Sequence, residues 1–270
     1  MLAPKRPGPL IRSLRVARRL TQEELAHRAE ISPRHLSCLE TGRASPSHTM
    51  LLVLGSAMDL PLRVRNTLLI AAGFAPVYQD LPLDDPALGR VKQAIEHILT
   101  NHEPNPAIVL DRFHNVLKFN NGARRLFAWT GVRFPTDTAP NAVRAIFDKS
   151  YGLRECIVGF DGFASEVLAR IRTEADVDSS LRDFVEEMEI LRGTPCDPVD
   201  SGAANQVALP IHFRRGATNL RYFMTLTTLG TPLDVTAQEL RIESYFPMDV
   251  ETEAFAEHAD QEGSAANSIP

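Results

Sequence analysis

The chain has 270 residues, 44 % of them hydrophobic, with 29 Lys and Arg against 34 Asp and Glu for a net charge of −5. That length exceeds one small helical module and suits two domains, each able to bury a core. No apolar run approaches the roughly 18–20 residues of a membrane-spanning helix, and the N-terminus offers no long apolar run, so the expected compartment is the cytoplasm; Cys38, Cys156 and Cys196 are too scattered for a disulfide framework or a CxxC metal site.

Residues 8–74 read as five short helices. Thr21 followed three residues later by Glu24 is a capping box, in which each side chain satisfies a backbone N–H at the helix start. Ser32 supplies a second N-cap, with Pro33 at the first helical position, and Gly42 provides the left-handed residue that ends that helix. Two capped helices joined by a turn of about three residues make a helix-turn-helix. In the third helix Leu36 and Leu39 share the inward side, which places Arg34, Ser37, Cys38 and Thr41 on an outward stripe able to reach base edges. Residues 1–74 hold 11 Lys and Arg against 5 Asp and Glu, a charge of +6 in a chain of −5. A basic module on an acidic remainder is the electrostatic footprint of nucleic-acid binding.

The stretch Ile11 to Ala26, with Ile31-Ser32 through Leu39-Glu40-Thr41-Gly42-Arg43, resembles the lambda-repressor-like (Xre-type) transcription regulators. The resemblance implies that Gln22 contacts a phosphate, that Ser32, Pro33, Arg34, His35, Ser37 and Cys38 stand at or beside base-facing positions, and that Arg43 grips the backbone. It also implies a partly buried Arg15–Glu40 ion pair tying the first helix to the third. Cys38 departs from the family, which places Arg, Gln or Lys there; a thiol makes no bidentate base contact, so no relative's operator transfers to this chain. Double-stranded DNA is the expected partner, bound by a homodimer whose half-sites lie about one helical turn apart.

A helix from about Pro61 to Ala72 ends the module at 74, and the proline-rich stretch 75–86 reads as a linker. A helix follows over 87–100, then a hairpin through Ala107–Asp111 and Val116–Phe119, then a helix over Ala123–Ala128. Helical spacing runs from about 140 to 192, with Gly152, Gly159 and Gly162 as interruptions. Strands are expected over Gln206–Arg214, Leu220–Thr228 and Leu240–Phe246. Two strands, a block of helices and three strands make an α+β domain over 87–248, a five-stranded antiparallel sheet with helices on one face. From 249 to 270 the acidic, small-residue composition reads as a disordered tail.

This order, with phrases such as Pro106-Ala107-Ile108-Val109-Leu110-Asp111, Asn141-Ala142-Val143-Arg144 and the long run Leu229 to Pro247, is similar to the MmyB-like transcription regulator ligand-binding domain, which is PAS-like. The resemblance implies a one-component sensor in which a small apolar ligand, fatty-acid-like, alters operator binding. Candidate cavity residues are Phe119, Phe127, Trp129, Phe147, Phe160, Phe163, Leu209, Ile211, Phe213, Tyr222, Met224 and Phe246, although large apolar residues of this kind more often form plain core than a ligand wall. A carboxylate would need an anchor: Arg144 first, with Arg154 or His212 as alternatives.

Two other classes stay open. One is an antitoxin-like repressor whose second domain binds a protein. The other is an enzyme or a coloured-cofactor protein with His102, His114 or His212 as candidate haem ligands. No GxSxG, HExxH or phosphate-cradling glycine loop is present, so no catalysis and no required cofactor is expected beyond a bound apolar molecule.

Overall fold

The computed structural model describes residues 7–193, 210–230 and 232–262. They divide into two units, the first taking residues 7–83, 173–180 and 232–238, the second taking 84–172, 181–193, 210–230 and 239–262.

The first unit contains the five expected helices: α1 (Pro7–Ala17), α2 (Gln22–Arg28), α3 (Pro33–Glu40), α4 (His48–Ala57) and α5 (Leu62–Ala71). Both halves of the capping box are made, Glu24 N donating to Thr21 Oγ1 at 3.1 Å and Thr21 N donating to Glu24 Oε2 at 2.7 Å. Ser32 Oγ accepts from His35 N at 3.1 Å. Helix α3 ends as expected: Gly42 takes φ +73° and Arg43 N reaches back to Cys38 O at 2.9 Å. Ile11, Leu25, Leu36, Leu39, Leu54 and Leu68 meet in one core. Helix α1 lies so close to α3 that a Cβ on Gly8 would stand 2.6 Å from Leu39 O.

Several polar side chains fasten the proline-rich stretch that follows α5. Asn66 donates to Tyr78 O at 2.8 Å and accepts from Val77 N and Tyr78 N at 3.1 Å. Asp234 Oδ2 accepts from Leu81 N at 3.1 Å, and Gln238 Oε1 accepts from Leu62 N at 2.6 Å. Helix α5 begins at Pro61, which offers no side-chain cap, so Gln238 supplies one from 176 positions away.

The second unit contains α6 (Gly89–Asn101), β1 (Ala107–Leu110), β2 (Val116–Phe119), α7 (Asn121–Thr130) and α8 (Ala142–Phe147). After these come α9 (Phe160–Val177), α10 (Arg182–Arg192), β3 (Pro210–Arg215), β4 (Thr218–Thr228), α11 (Val235–Glu239), β5 (Arg241–Pro247) and α12 (Val250–Glu262), with α9 and α11 each continuing across the boundary between units. The strands form one antiparallel sheet in the order β2-β1-β5-β4-β3, so β5, last in the chain, lies between β1 and β4. The β1–β2 turn is built on Asp111, whose carboxylate accepts from Phe113 N, Asn115 N and Asn115 Nδ2 at 2.8–2.9 Å. Asn120 closes the hairpin and caps α7, its Oδ1 accepting from both Ala107 N and Ala123 N at 2.9 Å.

Two expectations need correction. Gly162 does not interrupt a helix; it lies inside α9, where its missing Cβ faces open space. Residues 250–262 form α12 rather than a disordered tail. Their acidic composition hides an amphipathic edge on which Thr252 and Ala256 are buried and Phe255 meets Trp129 edge-on at 5.7 Å. The helix is started by Asp249, whose Oδ1 accepts from Thr252 Oγ1 at 2.6 Å and Thr252 N at 2.9 Å; those bonds hold its carboxyl below the usual aspartate range. Of the strand expected over Gln206–Arg214, residues 206–209 lie outside the described residues, and the rest is β3, Pro210–Arg215.

Candidate functional site

On α3 the residues Ser32, Pro33, Arg34 and His35 are exposed, and Arg43 is exposed just beyond the helix. Ser37 and Cys38 are half-buried, so the outward stripe is open at its first turn and at Thr41. Leu36 and Leu39 face inward and are fully covered. The pair implied for Arg15 and Glu40 is present and bidentate: Nε donates to Oε1 at 2.6 Å and Nη2 to Oε2 at 3.1 Å, while Nη1 reaches Leu20 O at 2.8 Å. Gln22 Nε2 donates to Glu40 Oε2 at 2.7 Å, so the amide at the start of α2 is positioned by the same carboxylate. Burial pushes Glu40 upward, but hydrogen bonds from Arg15 and Gln22, with the charges of Arg15 and Arg12, outweigh it and hold the carboxyl below its ordinary range. Arg12, Arg19 and Arg28 are also exposed on this unit.

In the second unit a cavity lies among α7, α8, α9 and the sheet, its empty space about 990 Å³ including the part open to solvent. Its wall is mostly apolar: Ile108, Val116, Leu126, Phe127, Phe134, Val143, Ile146, Leu153, Phe163, Val167, Ile211, Phe213 and Met224. Polar groups gather from His114, Thr130, Glu166, Arg170, Glu243 and Tyr245. Arg170 Nη2 donates to Glu243 Oε1 at 3.1 Å, and Tyr245 OH donates to Glu243 Oε2 at 3.3 Å. Arg170 Nε is buried and makes no hydrogen bond to the described residues. Burial first, then the neighbouring Glu243 carboxylate, raise Tyr245 well above the ordinary phenol value, so its hydroxyl stays protonated. His114 holds a left-handed backbone, φ +61°, and its buried ring stacks on Phe184 at 6.1 Å.

Of the residues proposed for a cavity, Phe127, Phe163, Ile211, Phe213 and Met224 are brought together on its wall. Phe119 is 38 % exposed and packs edge-on against Phe127 from outside the cavity. Phe147 and Tyr222 are fully buried core side chains, Trp129 packs on Phe255, and Phe160 packs on Phe147. Phe246 stacks on Phe223 at 5.0 Å, and Leu209 falls outside the described residues. Arg144, the favoured anchor, is not on the wall: it caps no cavity group and instead pairs with Glu187 at 2.6 Å. Arg154 lies over the Phe160 ring at 4.0 Å and His212 meets Asn219 Oδ1 at 3.2 Å, both away from the wall. The polar residues that do line it were overlooked. Glu166 and Arg170 stand four apart on α9, and Glu243 is a carboxylate two before Tyr245 in the middle of β5, flanked in sequence by Ile242.

A basic helix-turn-helix and an α+β domain with an apolar cavity together define a DNA-binding regulator with a ligand-binding domain. Comparison with family models agrees: residues 91–258 match the MmyB-like transcription regulator ligand binding domain, and residues 8–68 match a helix-turn-helix domain. The chain belongs to the MmyB-like transcription regulators. No curated relative matches it. Among solved structures, an RNA-binding light-oxygen-voltage receptor aligns over 95 % of this chain and 63 % of its own length, at 12 % identity and a TM-score of 0.26. No helix among the described residues is long and apolar enough to cross a membrane.

Proposed function

We propose that this protein is a cytoplasmic transcription regulator that binds a two-fold operator as a homodimer and whose DNA affinity responds to a small, apolar, fatty-acid-like ligand. The observation that carries the ligand half is the cavity, apolar over most of its wall, with Arg170, Glu243 and Tyr245 hydrogen-bonded to one another on it. An apolar chain fits the wall, and the buried Arg170 Nε lacks an acceptor that an acidic head would supply. Arg170 therefore replaces Arg144 as the proposed anchor. The DNA half rests on Arg34 and its exposed neighbours at the start of α3, with Arg43 beside the helix exit.

A ligand shifts the DNA-competent population only by the difference between its affinities for the two states. No resident metal or prosthetic group is needed for that. The test is fluorescence anisotropy of the full-length protein on a duplex from its own promoter, titrated with salt and with decanoic acid. Salt-sensitive binding whose affinity moves with decanoic acid is the expected result. Binding that ignores salt overturns the DNA reading, and binding that ignores both decanoic acid and 1-decanol overturns the ligand reading.

A further inference from the structure

We propose that the cavity takes its ligand's acidic head together with one proton, and that Glu243 is the residue that makes this necessary. The inference deepens the ligand reading above and rests on it. Arg170 is the cation on the cavity wall, and its Nη2 is already held by Glu243 at 3.1 Å. Glu166 lines the same wall from one turn earlier on α9, so two carboxylates face the space around one guanidinium before any ligand enters. A ligand carboxylate binding to Arg170 Nε adds a third negative charge to a largely apolar cavity. When carboxylates share such a site, one of them keeps a proton, because the charged pair repels in a medium that screens it poorly.

Carboxylic acids are ionised in water at neutral pH, so that proton is drawn from solvent on binding. The groups that face Glu243 are few. Arg170 and Glu166 come from α9, Tyr245 from its own strand, and His114 from the β1–β2 turn; its register partners, Ile108 on β1 and Leu226 on β4, are apolar. Tyr245 already donates to Glu243 Oε2. It stays protonated and supplies nothing further. The proton therefore sits on Glu243 or is shared between it and the ligand head. The consequence is selectivity: affinity for an acid falls as pH rises, while an alcohol of the same chain length binds independently of pH.

Isothermal titration of the full-length protein with decanoic acid and 1-decanol, at pH 6–8 in buffers of differing ionisation enthalpy, reads this directly. Wild type is expected to take up about one proton per decanoate, with affinity falling up to tenfold per pH unit, and none per decanol. Glu243→Gln keeps an acceptor for Arg170 and is expected to bind decanoate with no uptake, whereas Glu166→Gln is expected to retain it. Decanoate binding to wild type without uptake overturns the inference and leaves the ligand reading standing; that measurement needs no variant. Uptake that survives in Glu243→Gln overturns the assignment to Glu243 and moves the proton to His114 or Glu166. Failure of wild type to bind either probe overturns the ligand reading itself.

Discussion

Replacing Arg15 by alanine tests how the DNA-binding unit is held together. The arginine side chain is 10 % exposed and the Glu40 side chain 1 %, so the pair is out of water. Alanine removes both bonds to Glu40 and the 2.8 Å bond to Leu20 O, and leaves a buried carboxylate with the Gln22 amide. Breaking one side of such a pair costs about 3–5 kcal/mol, a fifth or more of the ~5–15 kcal/mol that holds a typical domain. For a unit of this size that is a fall in Tm of about 12 °C or more. Thermal and urea unfolding of the full-length protein, followed by circular dichroism, measure it. Arg15→Met with Glu40→Met removes both charges and is expected to be more stable than Arg15→Ala, because no charge is left buried. If Arg15→Ala loses less than about 1 kcal/mol, or the double variant is the less stable, the pair is not what ties α1 to α3.

Glu40 also gives a pH test. Its carboxyl is held below the ordinary range, so its contribution to stability is complete above the unfolded value near ~4.3 and is lost as pH falls through the lower folded value. Wild type should therefore lose stability below about pH 4 more steeply than Glu40→Gln, as acid titrations of the unfolding midpoint will read. Arg34→Ala should relax base preference, while Arg43→Ala should weaken binding evenly across sequences and lower the salt slope by about one; competition assays with varied duplexes separate the two. A Cβ on Gly122 would lie 2.5 Å from Asn105 O and Pro104 O, both backbone, so Gly122→Ala should cost about 2–3 kcal/mol in the second unit, measured by denaturant unfolding.

The DNA-binding half was legible because its signals are local. Thr21 with Glu24, Ser32 with Pro33, and Gly42 are capping residues whose partners lie within three or four positions, and each bond is made. The strand order was not written in any window: β5 follows β4 closely in sequence, but its other edge pairs with β1 through contacts such as Ala107 with Ser244, more than 100 residues apart. The same distance hid Gln238, whose side chain closes the start of α5. Helix α12 was hidden for a different reason. Its mean composition is acidic, yet burial of Thr252 and Ala256 on one edge decides the outcome.

The cavity repeats the lesson at the level of single charges. Large aromatic residues were the obvious candidates for a wall, yet Phe147 and Tyr222 went to the core and Phe119 to the surface. Aromatic size predicts burial, and burial alone does not say which side of a core faces empty space. Charge is more informative inside a domain, because an ionised group seldom enters apolar surroundings without a reason. Arg144 was favoured for its place in a family-like phrase, but that phrase serves as a cap: Asn141 Oδ1 accepts from Arg144 N at 2.9 Å, and the guanidinium turns to Glu187. Glu243 is the better signal, a carboxylate only 5 % exposed in a central strand, with apolar Ile108 and Leu226 as its cross-strand partners. A buried acid, bound to one arginine and one tyrosine at the edge of an apolar space, costs stability that a valine there would not.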